Sequence, residues 1–163
     1  MLHILKKRES IIALSFLFVF LTSCASKTYI PTVQTEFETK AKYTFGDFTY
    51  NCKITKTENS VSVEILDTKA AGLVIKCDGE RVYFILGDMV RDNAVGEVDV
   101  TNPALILYQV FFSLNSAVSS VVDGGCVLSG TCGAGNYALT LSKAGDFKNL
   151  SLPSAGIVID FYI

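Results

Sequence analysis

The stretch that decides the fold is residues 37–50, Phe-Glu-Thr-Lys-Ala-Lys-Tyr-Thr-Phe-Gly-Asp-Phe-Thr-Tyr. Apolar or small side chains recur at every second position from 37 to 45, and Glu or Lys lies between them up to position 42. This two-residue period is typical of a β-strand with one face in water. Gly46-Asp47 is a two-residue turn with glycine first, as a type II′ hairpin requires. The stretch therefore predicts an antiparallel hairpin.

The same alternation continues along the chain. It recurs at residues 61–65, 73–77 and 81–86, and Asp78-Gly79 is a strong hairpin signal between the last two. We expect these five strands to be antiparallel, each beside its predecessor. Three more segments follow at residues 137–142, 147–152 and 157–163. The last is so apolar that it must be paired within the sheet, since an uncovered strand would aggregate.

One long helix is predicted between the two groups of strands. No charged residue occurs from 100 to 122; Thr101 or Asn102 can cap a helix, and Pro103 suits its first position, so we expect a helix over 103–121. Its polar residues form a narrow stripe: Gln109, Ser113, Ser116 and Ser120. A transmembrane helix is the alternative, but the aligned polar residues favour a helix buried against a sheet. The fold class is therefore α+β, with about eight antiparallel strands and one long apolar helix.

Two segments between these elements are predicted to be loops. Residues 88–99 are rich in carboxylates but lack the spacing of a calcium-binding loop, so a solvated acidic loop is favoured. Residues 124–135 are rich in glycine but lack the ending of a phosphate-binding loop. We expect no metal and no cofactor.

Four cysteines lie in the predicted domain, Cys52, Cys77, Cys126 and Cys132, and they allow three pairings. Cys126 and Cys132 lie close together in the predicted glycine-rich loop, which favours a local disulfide between them. Cys52 and Cys77 lie on strands separated by a third strand, about 9.5 Å apart, whereas a disulfide tolerates at most about 7 Å between Cα atoms. We expect these two to be buried thiols.

The amino terminus has the order of a secretory signal. Lys6, Lys7 and Arg8 precede an apolar run of 11 residues, from Ile11 to Leu21, which is too short to span a membrane. Leu21-Thr22-Ser23-Cys24 resembles the lipobox of bacterial lipoproteins. The resemblance implies a signal peptide at 1–23, cleavage before Cys24, acylation of Cys24, a tether at 24–33 and one domain at 34–163. It implies a protein anchored to the bacterial cell membrane outside the cytoplasm.

Composition excludes several functions for the mature part. Loss of Lys6, Lys7, Arg8 and Glu9 from the 14 basic and 16 acidic residues leaves a net charge near −4, which does not suit nucleic-acid binding. The only histidine is His3, inside the predicted signal. The mature part therefore has no imidazole for general acid–base catalysis, and we expect no enzymatic activity.

The pattern as a whole resembles the lipoprotein-carrier (LolA-like) superfamily. The segments that carry the resemblance are the hairpin at residues 37–50, Val61-Ser62-Val63-Glu64-Ile65 with Ala71-Gly72-Leu73 and Asp78-Gly79, Tyr137-Ala138-Leu139-Thr140-Leu141, and Leu150-Ser151-Leu152-Pro153. It implies a curved half-barrel sheet with the helix in its concave face and an apolar cavity for acyl chains. Those carriers are soluble, whereas Cys24 would hold this chain at a membrane.

Two functional hypotheses follow. The first is a membrane-tethered binder of an apolar or acylated ligand between sheet and helix. The second is a scaffold or partner-binding envelope lipoprotein whose core is filled by its own side chains. Seven residues would line a cavity in the first case, but core packing predicts the same residues: Phe45, Tyr50, Val63, Ile75, Phe84, Phe111 and Leu114. An empty apolar cavity of ~300 to 1,000 Å³ would distinguish the two.

Overall fold

The computed structural model describes residues 34–162. The predictions for the signal peptide, the lipobox with Cys24 and the tether lie outside these residues, as does position 163. The described residues form eleven β-strands and one α-helix. The strands are β1 Phe37–Phe45, β2 Phe48–Lys56, β3 Val61–Ile65, β4 Val74–Cys77, β5 Arg81–Leu86, β6 Met89–Ala94, β7 Val118–Val122, β8 Gly125–Cys132, β9 Gly135–Ser142, β10 Phe147–Leu152 and β11 Ile157–Tyr162, and the helix is α1 Pro103–Phe112. Short 3₁₀ turns lie at Val95–Glu97, Leu114–Ser116 and Pro153–Ala155.

All eleven strands belong to one antiparallel sheet, in the order β6-β5-β4-β3-β2-β1-β11-β10-β9-β8-β7. The predicted meander is confirmed, because each of the first six strands lies beside its predecessor. β11 pairs with β1 from Phe45 opposite Ile157 to Lys40 opposite Tyr162, and with β10 on its other side. The apolar carboxyl-terminal strand thus joins the two halves of the sheet, as its sequence predicted.

The helix shows that the sheet is curved. α1 packs against β3 and β4 on one side and against β8 on the other. β4 and β8 are seven positions apart in the sheet, which would be roughly 34 Å if the sheet were flat. A helix is only about 10 to 12 Å across, so it contacts both strands because the sheet curls around it. The helix therefore lies on the concave side, and the half-barrel prediction is confirmed in outline.

The helix begins as predicted but ends early. The Asn102 side chain accepts hydrogen bonds from the backbone N–H groups of Ala104 and Leu105, and Pro103 opens the first turn. The predicted helix over 103–121 is wrong beyond Phe112. Ten residues span only about 15 Å, and among residues 34–162 no helix is long and apolar enough to cross a membrane.

The predicted number of strands is also wrong, since three segments assigned elsewhere are strands. The last four residues of the predicted helix belong to β7, half of the acidic loop is β6, and most of the glycine-rich loop is β8. β7 reads Val-Ser-Ser-Val-Val, and its β-branched residues favour an extended backbone. Buried Cys126 and Leu128 alternate with partly exposed neighbours on β8, a two-residue period that the glycines concealed.

Candidate functional site: the space between helix and sheet

The seven residues predicted to line a cavity do not surround one space. Tyr50, Val63, Ile75 and Phe111 belong to the buried core, and Phe84 and Leu114 are partly buried against it. Phe45 is 44 % exposed at the end of β1. Six of the seven therefore pack in or against the core, and Phe45 does not join them.

Side chains fill the space between α1 and the sheet. Ile106 and Leu107 on the helix and Val63 on β3 have no exposed surface. A side chain that lines an empty cavity of water size or larger keeps a surface that water can touch. Complete burial on both sides of the interface therefore indicates close packing, as in other protein interiors.

An aromatic cluster fills the part of this space near the end of the helix. The Phe111 ring lies edge-on to Phe37, with 5.1 Å between ring centroids, and 5.1 Å from the ring of Phe147. Phe37 and Phe147 are 4.9 Å apart, and Phe161 extends the cluster at 5.5 Å from Phe147. Edge-to-face and offset contacts at these distances stabilise a core beyond the area that they bury. Phe147 and Phe161 were not predicted as site residues, although their alternating strands indicated an inward orientation.

Three clefts on the described residues lie elsewhere. The first, of about 210 Å³, lies between the start of β1 and the β9–β10 turn, with Phe37 and Phe147 among its lining residues. A second, of about 320 Å³, lies beside Val121 and Lys143, and a third, of about 350 Å³, beside Lys40 and Tyr162. None of the seven predicted lining residues borders any of them. The first cleft therefore borders the aromatic cluster, but no lining residue of the three clefts belongs to α1.

The four cysteines among residues 34–162 are separate thiols. Cys126 and Cys132 both lie on β8, where six residues of extended chain span about 20 Å, far beyond the limit of about 7 Å for a disulfide. The prediction of a local bridge between them is therefore wrong in this fold. Cys52 and Cys77 are buried and unbonded, as predicted.

Burial keeps the thiols of Cys52, Cys77 and Cys126 protonated. It raises the pKa of Cys52 to about 12, helped by the charge of Asp67, and it also raises the pKa of Cys77 and of Cys126. A reactive cysteine needs a lowered pKa and solvent access. Cys52, Cys77 and Cys126 have the opposite environment, which suits core packing.

Two buried tyrosines and a buried lysine bring polar groups into the core. Tyr43 and Tyr50 stack with 5.0 Å between ring centroids, and burial raises the pKa of both phenols. The Lys56 ammonium donates to the Thr35 carbonyl at 2.6 Å and lies 4.5 Å from the centre of the Phe112 ring. Sequence reasoning missed Lys56 as an inward residue, although it keeps the two-residue period of β2.

Two carboxylates of residues 88–99 interact with neighbouring groups of the protein. Asp99 accepts hydrogen bonds from the N–H and hydroxyl of Thr101, which lower its pKa, and Asp92 forms an ion pair with Arg81. Within the described part of the chain, no group of three His, Cys, Asp or Glu residues could hold a metal ion.

Comparison with known proteins gives a likeness of architecture. No family model matches the chain, and no curated protein matches it. Among solved structures, it is similar to a LolA superfamily protein from Nitrosomonas europaea, with 12 % identity over 82 % of this chain and 87 % of the other and a TM-score of 0.37. It is also similar to one chain in the structure of the CwlD amidase from Clostridioides difficile in complex with the GerS lipoprotein, with 12 % identity over 72 % of this chain and 75 % of the other and a TM-score of 0.40. The first of these structures belongs to the superfamily that the sequence pattern resembles.

Proposed function

We propose that this chain is a lipid-anchored, non-enzymatic protein of the bacterial envelope that acts by binding a protein partner. The observation that carries this proposal is the filled interface between α1 and the sheet. Of the two hypotheses from the sequence, only the second requires a side-chain-filled core.

The anchoring part of the proposal is supported by sequence. Leu21-Thr22-Ser23-Cys24 follows a positively charged start and a short apolar run, which is the order of a lipoprotein signal. An acylated Cys24 would hold the domain at the outer side of the membrane through residues 25–33. A stationary domain of this kind suits the recruitment or positioning of another protein better than the transport of a lipid.

The non-enzymatic part is supported by chemistry. The single histidine lies at position 3, and the buried thiols of Cys52 and Cys77 have raised pKa values. Nucleophilic or acid–base catalysis needs an activated group that a substrate can reach. Cys52 and Cys77 are therefore packing groups of the core and not nucleophiles.

An acyl-probe titration tests this proposal. The Cys24→Ala chain, freed from its anchor, is titrated with a fluorescent fatty acid, with bovine serum albumin as the positive control. We expect no saturable binding, because facing side chains of α1 and the sheet are fully buried against each other, whereas a ligand needs a pocket of ~300 Å³ or more. Saturable binding of one probe per chain that Phe111→Ala abolishes would overturn the proposal in favour of the ligand-binding hypothesis.

A further inference from the structure

The two ends of the first six strands carry different turns. Because successive strands are antiparallel, alternate turns lie at the same end of the sheet. At one end the turns are polar, with residues 57–60 (Thr-Glu-Asn-Ser) between β2 and β3 and residues 78–80 (Asp-Gly-Glu) between β4 and β5. At the opposite end, the β1–β2, β3–β4 and β5–β6 turns present large apolar side chains that are 40 to 67 % exposed. These three turns are here called the apolar tips, and their exposed apolar residues are Phe45, Phe48, Leu66, Leu86 and Met89.

Turn geometry does not require these apolar residues. The β1–β2 turn reads Phe45-Gly46-Asp47-Phe48, and residues 86–89 at the β5–β6 turn repeat the order as Leu-Gly-Asp-Met. Gly46 and Gly87 adopt φ values of +55° and +57°, which glycine accepts without strain. The flanking residues only pair across the two strands, a position that a polar residue fills equally well. Apolar side chains grouped at one exposed end are characteristic of an interaction surface.

The tips form a row directed away from the start of the domain. Each tip is two strands from the next, about 9.6 Å, so the row is about 19 Å long. Residues 35 and 36 lie at the polar end, where the Lys56 ammonium binds the Thr35 carbonyl and the Glu58 N–H donates to Glu36 at 3.1 Å. β1 separates the two ends by about 27 Å. A tether that leaves from the polar end would direct the tips away from the membrane that holds it.

Charge indicates what binds there. Asp47 and Asp88 are exposed between the apolar residues of two tips. At the middle tip, Asp67 accepts hydrogen bonds from the backbone N–H and side-chain amide of Asn51, at 3.0 and 2.7 Å, and the exposed Lys69 offsets its charge. The net negative charge of the row therefore comes from Asp47 and Asp88. An anionic membrane surface repels such carboxylates, whereas Lys and Arg on a protein attract them.

We propose that the apolar tips are a docking surface for a protein with an apolar patch bordered by Lys or Arg residues. This inference rests on the proposed partner-binding function and gives it a location. A row of this length fits an interface at the small end of the range, below about 1,200 Å², which is typical of transient complexes. The flanking carboxylates then raise the rate of association, and salt weakens the complex.

Site-specific photo-cross-linking in cells tests the surface on the full chain. A photoreactive phenylalanine analogue replaces Phe48 in one variant and Met89 in another, and the control variant carries it at Glu58, an exposed residue of the polar end. We expect the same protein adduct from Phe48 and Met89 and none from Glu58. Two tips that are about 19 Å apart can share an adduct only if one partner covers the row.

Charge reversal then tests the chemistry of the partner. Asp47→Lys with Asp88→Lys should reduce the yield of that adduct about tenfold, as expected for loss of charge pairs at an interface. Glu58→Lys reverses a single charge at the other end and should leave the yield unchanged. Thermal unfolding of each variant verifies that the domain still folds, which we expect because all three residues are exposed.

Several results would overturn the assignment of the tips. They are adducts only with lipid, an adduct only with a second copy of this chain, no adduct from either tip, or an adduct that is insensitive to charge reversal. Binding of the Cys24→Ala chain to vesicles of equal parts phosphatidylcholine and phosphatidylglycerol, lost in Phe48→Ser, would replace the protein partner with a membrane. Stoichiometric binding of the acyl probe would instead refute the proposed function itself, whatever the tips cross-link.

Discussion

Phe111→Ala should destabilise the domain strongly, because the ring of Phe111 holds the helix against the sheet. The side chain is only 5 % exposed and lies 5.1 Å from both Phe37 and Phe147. Truncation of a buried phenylalanine costs about 3 to 5 kcal/mol of unfolding free energy, from the lost burial and from the cavity that remains. For a domain of this size, about 4 kcal/mol corresponds to a decrease in Tm of about 15 °C.

The adjacent residue supplies a matched control. Phe112 is 39 % exposed, stacks on Tyr108 with 4.2 Å between centroids, and lies beside Lys56. Its replacement by alanine removes one aromatic contact and one cation–π contact, each worth about 1 kcal/mol, without opening a cavity in the core. Phe112→Ala should therefore lower Tm by much less than Phe111→Ala. Ser116→Ala changes an exposed hydroxyl of the 3₁₀ turn and should leave Tm almost unchanged.

Differential scanning calorimetry of the Cys24→Ala chain and its variants measures these effects. Equal values of Tm for Phe111→Ala and Phe112→Ala would show that the helix is not packed against the sheet through Phe111. An unchanged Tm for Phe111→Ala together with loss of acyl-probe binding would show that the residue is the wall of a ligand cavity.

Three further predictions concern the anchor, a thiol and a glycine. Cys24→Ala should move the protein from the membrane fraction to the soluble fraction, as judged by fractionation and by loss of the lipid mass; retention in high salt would contradict the lipobox interpretation. Because burial raises the pKa of Cys52 to about 12, its thiol stays protonated in the folded state after the unfolded thiol ionises above about pH 8.5, so stability falls as pH rises from there. In urea titrations, Cys52→Val should reduce this alkaline slope by up to about 1.4 kcal/mol per pH unit, and an unchanged slope would exclude Cys52 as its source. Gly125→Ala would place a Cβ in collision with the Leu141 carbonyl oxygen and should lower Tm markedly, whereas Gly96→Ala meets no atom within 4 Å and should not.

The hairpins could be predicted from the sequence because local signals and long-range pairing agree there. The alternation of residues 37–45 defines the buried face of β1, and Gly46 supplies the positive φ that its turn needs. The order of the first five strands follows, since short antiparallel connections leave few alternatives. The apolar carboxyl-terminal segment also indicated its own pairing.

The helix end could not be located because two patterns compete after Phe112. The polar residues of 109–120 fit a helical period, so a helix over 103–121 is consistent with spacing alone. In the structure, the Ser113 hydroxyl donates to the Val110 carbonyl and the Ser116 hydroxyl to the Ser113 carbonyl. Such local bonds compete with helical ones, and the valines of β7 then favour an extended chain.

The sequence predicted most of the inward residues of the candidate site, but not whether they enclose a cavity. Period and composition identified Phe111, Val63 and Tyr50 as inward residues, and the structure places all three in the core. Whether inward residues enclose a cavity or fill it depends on how far the sheet curls around the helix, which residue spacing does not encode. The exposure of the apolar tips could not be predicted from the sequence for a related reason. Phe48 continues the inward period of β2, yet it is exposed because the buried positions of that strand begin only at Tyr50.

Native mass spectrometry of the Cys24→Ala chain, expressed in its own envelope compartment and purified without detergent, tests the filled core most directly. A protein whose helix and sheet are packed together should have the mass of the polypeptide alone. A discrete additional mass of one acyl lipid per chain, released on unfolding, would contradict the account.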